Sequence, residues 1–503
     1  MKHHLQILFI FLLLGTNVAL GQTQHEKSRT IVTTDGEIDD VDSFIRMLLY
    51  ANEFTIEGLV YSSSMWHYKG DGKGTTMVSE MEMTQKIYGE KTDLRWPGIQ
   101  WMQGLIDAYE LVEPNLSLHA KGYPTAAHLR TLIKVGNIDF EGEMEKDTEG
   151  SNFIRTKLLD DDMSPLYLQV WGGTNTISRA LKSIEEAYSD TPEWDAIQKK
   201  VVAKTIIYTI LDQDATYKKY ISKQWPDIRI FYNSKQFWCL AYPWKTAVDP
   251  VLHPYLEGEF MGGKIINGHG PLTKMYYSYG DGQKQDGDDE HIHGDLSKIK
   301  NGQWGTFHKY DFISEGDSPA FLHLIDVGLD NLDHPDFGGW GGRLQQSETS
   351  PNRWEDGEDV ADLNPISGKM DLAYPQIRWL KTLQLDFAAR ADWCVKTYKE
   401  ANHPPSVTLK HAHNIPVKAG QKVILHGKAT DPDGDALQYY WWRYDEVDTF
   451  EGKVQVSKPM KAKTFLTVPE AIKKGETIHF ILEVTDSRSP SMTRYQRVVL
   501  TAQ

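Results

Sequence analysis

Asp35, Glu37, Asp39, Asp40 and Asp42 crowd into eight consecutive positions inside the stretch VTTDGEIDDVDSF, from Val32 to Phe44. Like charges this close repel, so the pattern asks for a compensating positive charge. Helix capping accounts for part of it. The stretch sits where a β-rich run gives way to a helical pattern, and Asp39 or Asp40 can cap free backbone N–H groups there. A hard divalent cation accounts for more, because Ca²⁺ takes roughly six to eight oxygen ligands from carboxylates, carbonyls and water. An EF-hand loop does not fit: Asp40 stands where that loop needs glycine, and Arg46 where it needs a bidentate glutamate. A solvent-exposed charged loop is the alternative to a metal site.

The elements that must position these residues follow from periodicity. RTIVTT is a β-branched run, Val41, Ile45, Leu48 and Leu49 share one helical face, and FTIEGLVYSS returns as an apolar strand. The unit recurs in PLYLQVWGG followed by TNTISRALKSIEEAY, and in KKVVAKTIIYTILDQD followed by ATYKKYISKQW. Strands alternating with helices over residues 29–402 predict an α/β domain with a mostly parallel sheet covered on both faces. Ligands of such sheets sit beyond the carboxyl ends of the strands, so the loops after Thr34, Tyr61, Val170 and Leu211 are expected to converge. NHPPS, from Asn402 to Ser406, reads as a linker. Beyond it, residues 407–503 show short alternating strands with turns such as DPDGD, the grammar of a small all-β sandwich. The DPDGD segment, Asp431 to Asp435, reads as a tight turn in preference to a structural calcium loop. Trp441 and Trp442 are expected to point to opposite faces of their strand. The segment YGDGQKQDGDDEHIHGD, Tyr279 to Asp295, reads as a solvated acidic insertion in preference to a metal site built on His291 and His293.

TTDGEIDDVDS resembles the N-terminal fingerprint of nucleoside hydrolases, Asp-x-Asp-Pro-Gly-x-Asp-Asp, with Asp35, Asp39 and Asp40 on its last three acidic positions. VWGGTNTISRAL, GHGPL and EGDSPAFL extend the similarity, which is strongest to the nucleoside-hydrolase-like family of Sde182-type cellulose-binding proteins and covers the chain through its C-terminal sandwich. The resemblance implies a Rossmann-like, nucleoside-hydrolase-like fold followed by an immunoglobulin-like sandwich. It implies Ca²⁺ as cofactor, with Asp35, Asp40, Asp317 and the Trp171 backbone carbonyl as ligands. Asp35 would also act as general base and Asp39 would hold a sugar hydroxyl. The sequence departs from the pattern at several points. Thr33 replaces the first aspartate, Gly36-Glu37 replaces Pro-Gly, Asn175-Thr176 reverses the usual order, and Gly316 stands where a histidine often protonates the leaving base.

Further candidates for the substrate pocket are Asn175, Trp66 and His67 in SSSMWHYKGDG, Asp147 and Glu149 in DTEGSN, Asp212 in LDQD, and His269 in GHGPL. Each has a structural alternative: helix capping for the acids and a turn for the glycine-flanked histidine.

The chain opens with Lys2, an apolar run from Ile7 to Leu14 and small residues before Gln22, the order of a secretory signal ending near Gly21. That predicts a secreted or periplasmic protein without a membrane anchor. The net charge of −16 argues against nucleic acid as a partner. Cys239 and Cys394 either pair or stand as two separate buried thiols. The expected function is a calcium-dependent hydrolase of N- or O-glycosidic bonds acting on a furanoside, a carbohydrate or nucleoside, by inverting attack of metal-bound water. The alternative is a non-catalytic glycan-binding protein that keeps the metal site.

Overall fold

The computed structural model describes residues 27–299 and 304–503; the expected signal segment lies outside them. Its main sheet has eight strands: β1 (Arg29–Thr34), β2 (Thr55–Tyr61), β3 (Ile133–Val135), β4 (Leu166–Val170), β5 (Thr205–Ile210), β6 (Arg229–Asn233), β7 (Gln345–Gln346) and β8 (Arg353–Glu355). They run in the order β3-β2-β1-β4-β5-β6-β8-β7. All pairs are parallel except the short β7–β8 pair. The order reverses on either side of β1, so a crevice opens at the carboxyl ends of β1 and β4.

Strand alternation fills both faces. Ile31, Leu168, Val170 and Ile207 enter one apolar core, while Val32, Tyr167, Tyr208 and Ile210 enter another. A three-layer arrangement follows, because successive side chains leave opposite faces of a strand and each face is covered. The first helix, α1 (Ile38–Leu49), buries Val41, Ile45, Leu48 and Leu49 as the periodicity predicts. Its start is not capped as expected: the N-cap is Glu37, without a side-chain cap hydrogen bond. KKVVAK also departs from the strand reading. It closes the helix Trp194–Lys204, and β5 begins only at Thr205.

The C-terminal strands are β9 (Ser406–Leu409), β10 (Asn414–Val417), β11 (Lys422–Thr430), β12 (Leu437–Arg443), β13 (Lys463–Thr467), β14 (Thr477–Asp486) and β15 (Thr493–Ala502). They form two sheets, β9-β11-β13 and β10-β15-β14-β12, around a core of Leu425, Trp441, Leu482 and Leu500. Trp441 is buried there, while Trp442 leans on Trp379 of the α/β part, its ring centroid 6.1 Å away. Tyr495 adds an edge contact to Trp379 at 5.4 Å, and Arg494 reaches Asp386 at 2.8 Å. One face of the sandwich is therefore spent on packing. The NHPPS segment is not a free linker either, since Asn402 and His403 are buried between the two parts. Cys239 and Cys394 are buried, unpaired thiols. Among the described residues no helix is long and apolar enough to cross a membrane.

Candidate metal centre

Asp35 follows β1 directly, and its carboxylate lies against the loops after β2 and β4. Ser64 Oγ donates a hydrogen bond to Asp35 Oδ2, and His67 Nδ1 lies 3.5 Å from the same oxygen. A side chain at Gly172 would put its Cβ 2.9 Å from Asp35 Cγ and 3.1 Å from Oδ1, so glycine is what lets the loop after β4 close over Asp35. Backbone bonds tie the same loops together: Ser62 N–H to Thr34 O at 2.8 Å, Trp171 N–H to Thr33 O at 3.0 Å, and Met65 N–H to Gln213 O at 2.8 Å. The loops after β1, β2, β4 and β5 thus meet where the strand order reverses.

Asp39, Asp40 and Asp317 each bring a carboxylate oxygen within 4.8 Å of the others. Asp39 and Asp40 come from the first turn of α1, and Asp317 stands just before the helix α2 (Ser318–Leu322). A buried clamp holds that distant loop in place. Arg46 on α1 donates to Glu315 at 3.0 Å and to Gln384 at 2.5 Å, and Ser318 bonds Ser43 at 3.1 Å. Arg46→Met would leave buried Glu315 without its guanidinium partner, with only the hydroxyls of Tyr276 and Ser318 donating to it. We expect a loss of about 3–5 kcal/mol, measured by urea unfolding.

The electrostatics of the cluster are those of an anionic trap. Burial, then the charges of Glu37 and Asp35, push the Asp39 carboxyl well above its usual range. Burial acts likewise on Asp40, reinforced by Asp35, Asp317 and Asp39, and on Asp317, reinforced by Asp39 and Asp35. Asp35 goes the other way: burial favours its neutral form, but His67 and Ser64 outweigh burial and hold it ionised. His67 sits between two carboxylates, with Nε2 3.7 Å from Asp288. Burial and Arg95 disfavour its charge, yet Asp288 and Asp35 overcome them and raise His67 to about 9. A histidine shifted upward stabilises the fold in full below its unfolded value of about 6.5, and loses that contribution as pH rises through about 9. Asp288→Asn is expected to lower the His67 pKa by roughly one unit or more, read from imidazole shifts in an NMR titration.

Two buried oxygens of the cluster, Asp35 Oδ1 and Asp40 Oδ2, have no hydrogen-bond partner. Unpartnered carboxylate oxygens are costly in a buried site and are the donors a hard cation takes. The residues therefore fit Ca²⁺. Asp39, Asp40 and Asp317, with Asp35 beside Asp40, are the groups that would supply carboxylate oxygens. The Trp171 carbonyl already accepts from Gln213 Nε2 at 2.9 Å, and its second lone pair is the one available to an ion.

The five carboxylates of the opening stretch divide their work. Asp35, Asp39 and Asp40 face the cluster. Glu37 accepts from Tyr242 OH at 3.0 Å and lies 3.7 Å from Arg95. Asp42 anchors another loop, accepting the Tyr277 N–H at 2.8 Å. The segment from Tyr279 to Asp295 is not a solvated insertion. Asp288 takes Arg95 in a two-pronged pair at 3.2 and 3.0 Å, and Gln285 Nε2 donates to the Gly36 carbonyl at 2.6 Å. The segment walls the site, with Asp288 and His291 buried.

The pocket candidates separate on the same basis. Trp66 is half-buried beside Ser64, which holds its N–H at 2.9 Å, and stands edge-on to Tyr88. Asp212 follows β5, and burial and Asp214 lift it to about 7. Asn175 does not present its amide to a ligand: Nδ2 bonds Ser63 Oγ and the Asn137 carbonyl at 2.9 Å each, and Oδ1 accepts the Thr176 N–H. Asp147 pairs with Arg179 at 2.9 Å and exposed Glu149 with Lys134 at 3.0 Å. His269 lies 3.2 Å from Asp392 on the helix Leu380–Trp393, in the helical layer. These four are structural. The residues that sequence reasoning passed over are Thr34, whose hydroxyl donates to Asp40 Oδ1, and Ser64, Arg95, Gln213 and Asp288, ordinary polar types whose role depends on long-range contact. Only the positions of Ser64 and Gln213 in strand-end loops could have marked two of them.

The family model described as cellulose-binding Sde182, nucleoside hydrolase-like domain, matches residues 29–344, and that of the cellulose-binding protein Sde0182 C-terminal domain matches residues 422–502. Among solved structures the chain is similar to a nucleoside hydrolase-related hypothetical protein from Saccharophagus degradans that is associated with carbohydrate metabolism. The identity is 25% and the TM-score 0.69, over 95% of this chain and 100% of that one. A plant nucleoside hydrolase matches at 10% identity and a TM-score of 0.31, over 71% of this chain and 99% of that one. No curated protein matches. With most of its length under one family model and a related structure spanning nearly all of it, the chain belongs to the Sde182 cellulose-binding family, with its nucleoside hydrolase-like domain.

Proposed function

We propose that this protein is a calcium-dependent, secreted or periplasmic hydrolase of glycosidic bonds, N- or O-linked, acting on a furanoside with two neighbouring free hydroxyls. The carrying observation is the convergence of Asp39, Asp40 and Asp317, with Asp35 beside Asp40, at the strand switch point, where Asp35 Oδ1 and Asp40 Oδ2 are buried without partners. Bound Ca²⁺ would neutralise the cluster, grip the vicinal hydroxyls, and acidify and orient a water. Asp35, kept ionised by His67 and Ser64, would take the proton of the attacking water. Half-buried Asp39 accepts a hydrogen bond from a sugar hydroxyl. The remaining negative charge favours the oxocarbenium-like transition state. Attack by the water that Asp35 deprotonates, from the face opposite the leaving group, would invert the anomeric carbon.

One observation favours the second reading, a glycan clamp without turnover. At Gly316 no imidazole stands ready for the leaving group, and a Cβ there would lie 2.8 Å from Asp39 Oδ2, so no larger residue fits without displacing Asp39. Aryl furanosides, whose leaving groups need little protonation, separate the readings. Release of the phenol by wild-type protein supports the hydrolase. Saturable glycan binding with no product from aryl furanosides or nucleosides supports the clamp.

A further inference from the structure

The DPDGD turn between β11 and β12 closes against the buried joint at Asn402 and His403, and the contacts there leave a second anionic enclosure. Asp431, Asp433 and Asp435 each offer one oxygen within 4.8 Å of the others. Asp431 Oδ1 accepts the N–H groups of Asp433 and Asp435 at 2.9 and 3.0 Å, while its Oδ2 is shielded from solvent and has no partner. Asp433 accepts the His403 N–H at 2.8 Å and faces the His403 ring at 3.0 Å. Asp435 pairs with Arg488 at 2.8 Å. A fourth carboxylate, Asp486, is buried beside them, and burial together with the charges of Asp431 and Asp435 lifts it to about 6.

A row of acids is not in itself a site. The independent observation is Asn402, which is 2% exposed. Its Nδ2 is fully used, donating to both Asp486 oxygens at 3.0 Å and to the Pro490 carbonyl at 2.8 Å, which fixes the orientation of the amide. Its Oδ1 has no partner. The amide lies against Asp486 and the next N–H lies on Asp433, so Asn402 borders the same enclosure with a buried oxygen to spare. The neighbouring carboxylates, ionised, accept hydrogen bonds and donate none. A cation there would satisfy both free oxygens, Asn402 Oδ1 and Asp431 Oδ2, and offset four carboxylates that have Arg488 and His403 beside them.

We propose that this joint is a second, structural site for a hard divalent cation, Ca²⁺ in the first instance, formed by Asp431, Asp433, Asp435 and Asp486 with Asn402. All its candidate donors are oxygens, the preference of Ca²⁺. The ion clamps the sandwich to the α/β part. Asp433 passes the constraint to His403, whose ring stacks on Tyr398 at 3.8 Å and bonds His119 at 2.9 Å. The site is independent of any catalysis at Asp35.

The test uses the full chain carrying Asp40→Asn and Asp317→Asn, titrated with CaCl2 alone by calorimetry. One ion per chain is expected to remain, and adding Asp431→Asn is expected to weaken it by at least about tenfold; that substitution removes charge but keeps the oxygen that accepts the turn's N–H groups. Melting midpoints in chelator should match with and without Asp431→Asn, with only the protein that keeps Asp431 gaining on calcium addition. Absence of calcium binding up to about 10 mM in the Asp40→Asn, Asp317→Asn protein overturns the proposal, since weak extracellular sites still fill in that range. Binding that Asp431→Asn and Asp435→Asn both leave unchanged overturns it too. Failure of the first centre instead shows as one ion in wild type and none once Asp431→Asn is introduced.

Discussion

Asp35→Asn is expected to lower kcat on an aryl furanoside by roughly 10²–10⁴-fold, the range of a lost general base, with KM little changed. Asparagine keeps one oxygen for an ion and the volume that Gly172 accommodates, but it cannot take a proton. The wild-type carboxylate is suited to that task because burial, which alone would protonate it, is outweighed by His67 and Ser64. A variant that retains a tenth or more of wild-type turnover removes Asp35 from the proton transfer. A variant that loses turnover and calcium together points to a ligand role only.

Calcium removal is expected to have the second largest effect, and its size depends on pH. The carboxyls of Asp39, Asp40 and Asp317 are raised in the folded protein. Without an ion, they therefore contribute to stability while protonated, below the unfolded value of about 4. That contribution is lost as pH rises through the raised folded values. Near neutral pH all three press toward ionisation in a buried space, and a bound cation relieves the repulsion. A hundredfold excess of Ca²⁺ over its dissociation constant stabilises by about 2.7 kcal/mol. In calorimetric scans, chelator should then lower Tm by several degrees at about pH 8 and by little at about pH 4. A chelator effect that is equal at both values, or reversed, contradicts the carboxylate trap. Because the joint at Asn402 has its own acids, the comparison is cleanest in an Asp431→Asn background.

Much of this architecture was legible in residue order. β-branched runs followed by amphipathic helices define the parallel sheet, and the switch-point rule places its site. The acidic fingerprint and EGDSP contain Asp39, Asp40 and Asp317, whose carboxylate oxygens the fold brings within 4.8 Å of one another, while Asp35, expected among the ligands with Asp40 and Asp317, stands beside Asp40. What the sequence did not reveal depends on contacts far apart in the chain. The segment from Tyr279 to Asp295 has the composition of a solvated loop, yet Arg95 and His67 neutralise Asp288 and draw the segment over the site. Asn175 follows a glycine pair in a strand-end loop, where ligand contacts are common, but Ser63 and Asn137 consume its amide. Asp147, Glu149 and His269 were plausible by type and were claimed by Arg179, Lys134 and Asp392. In the same way, two prolines made Asn402 to Ser406 read as a spacer, although Asp486 and Asp433 bury its first two residues.

The most direct measurement is anomalous scattering from crystals of the full chain grown with Ca²⁺. The account predicts a peak with carboxylate oxygens of Asp35, Asp40 and Asp317 and the Trp171 carbonyl within about 2.3–2.6 Å of it. A calcium-saturated crystal with no peak between those residues, or with their side chains turned away from a common centre, would contradict it.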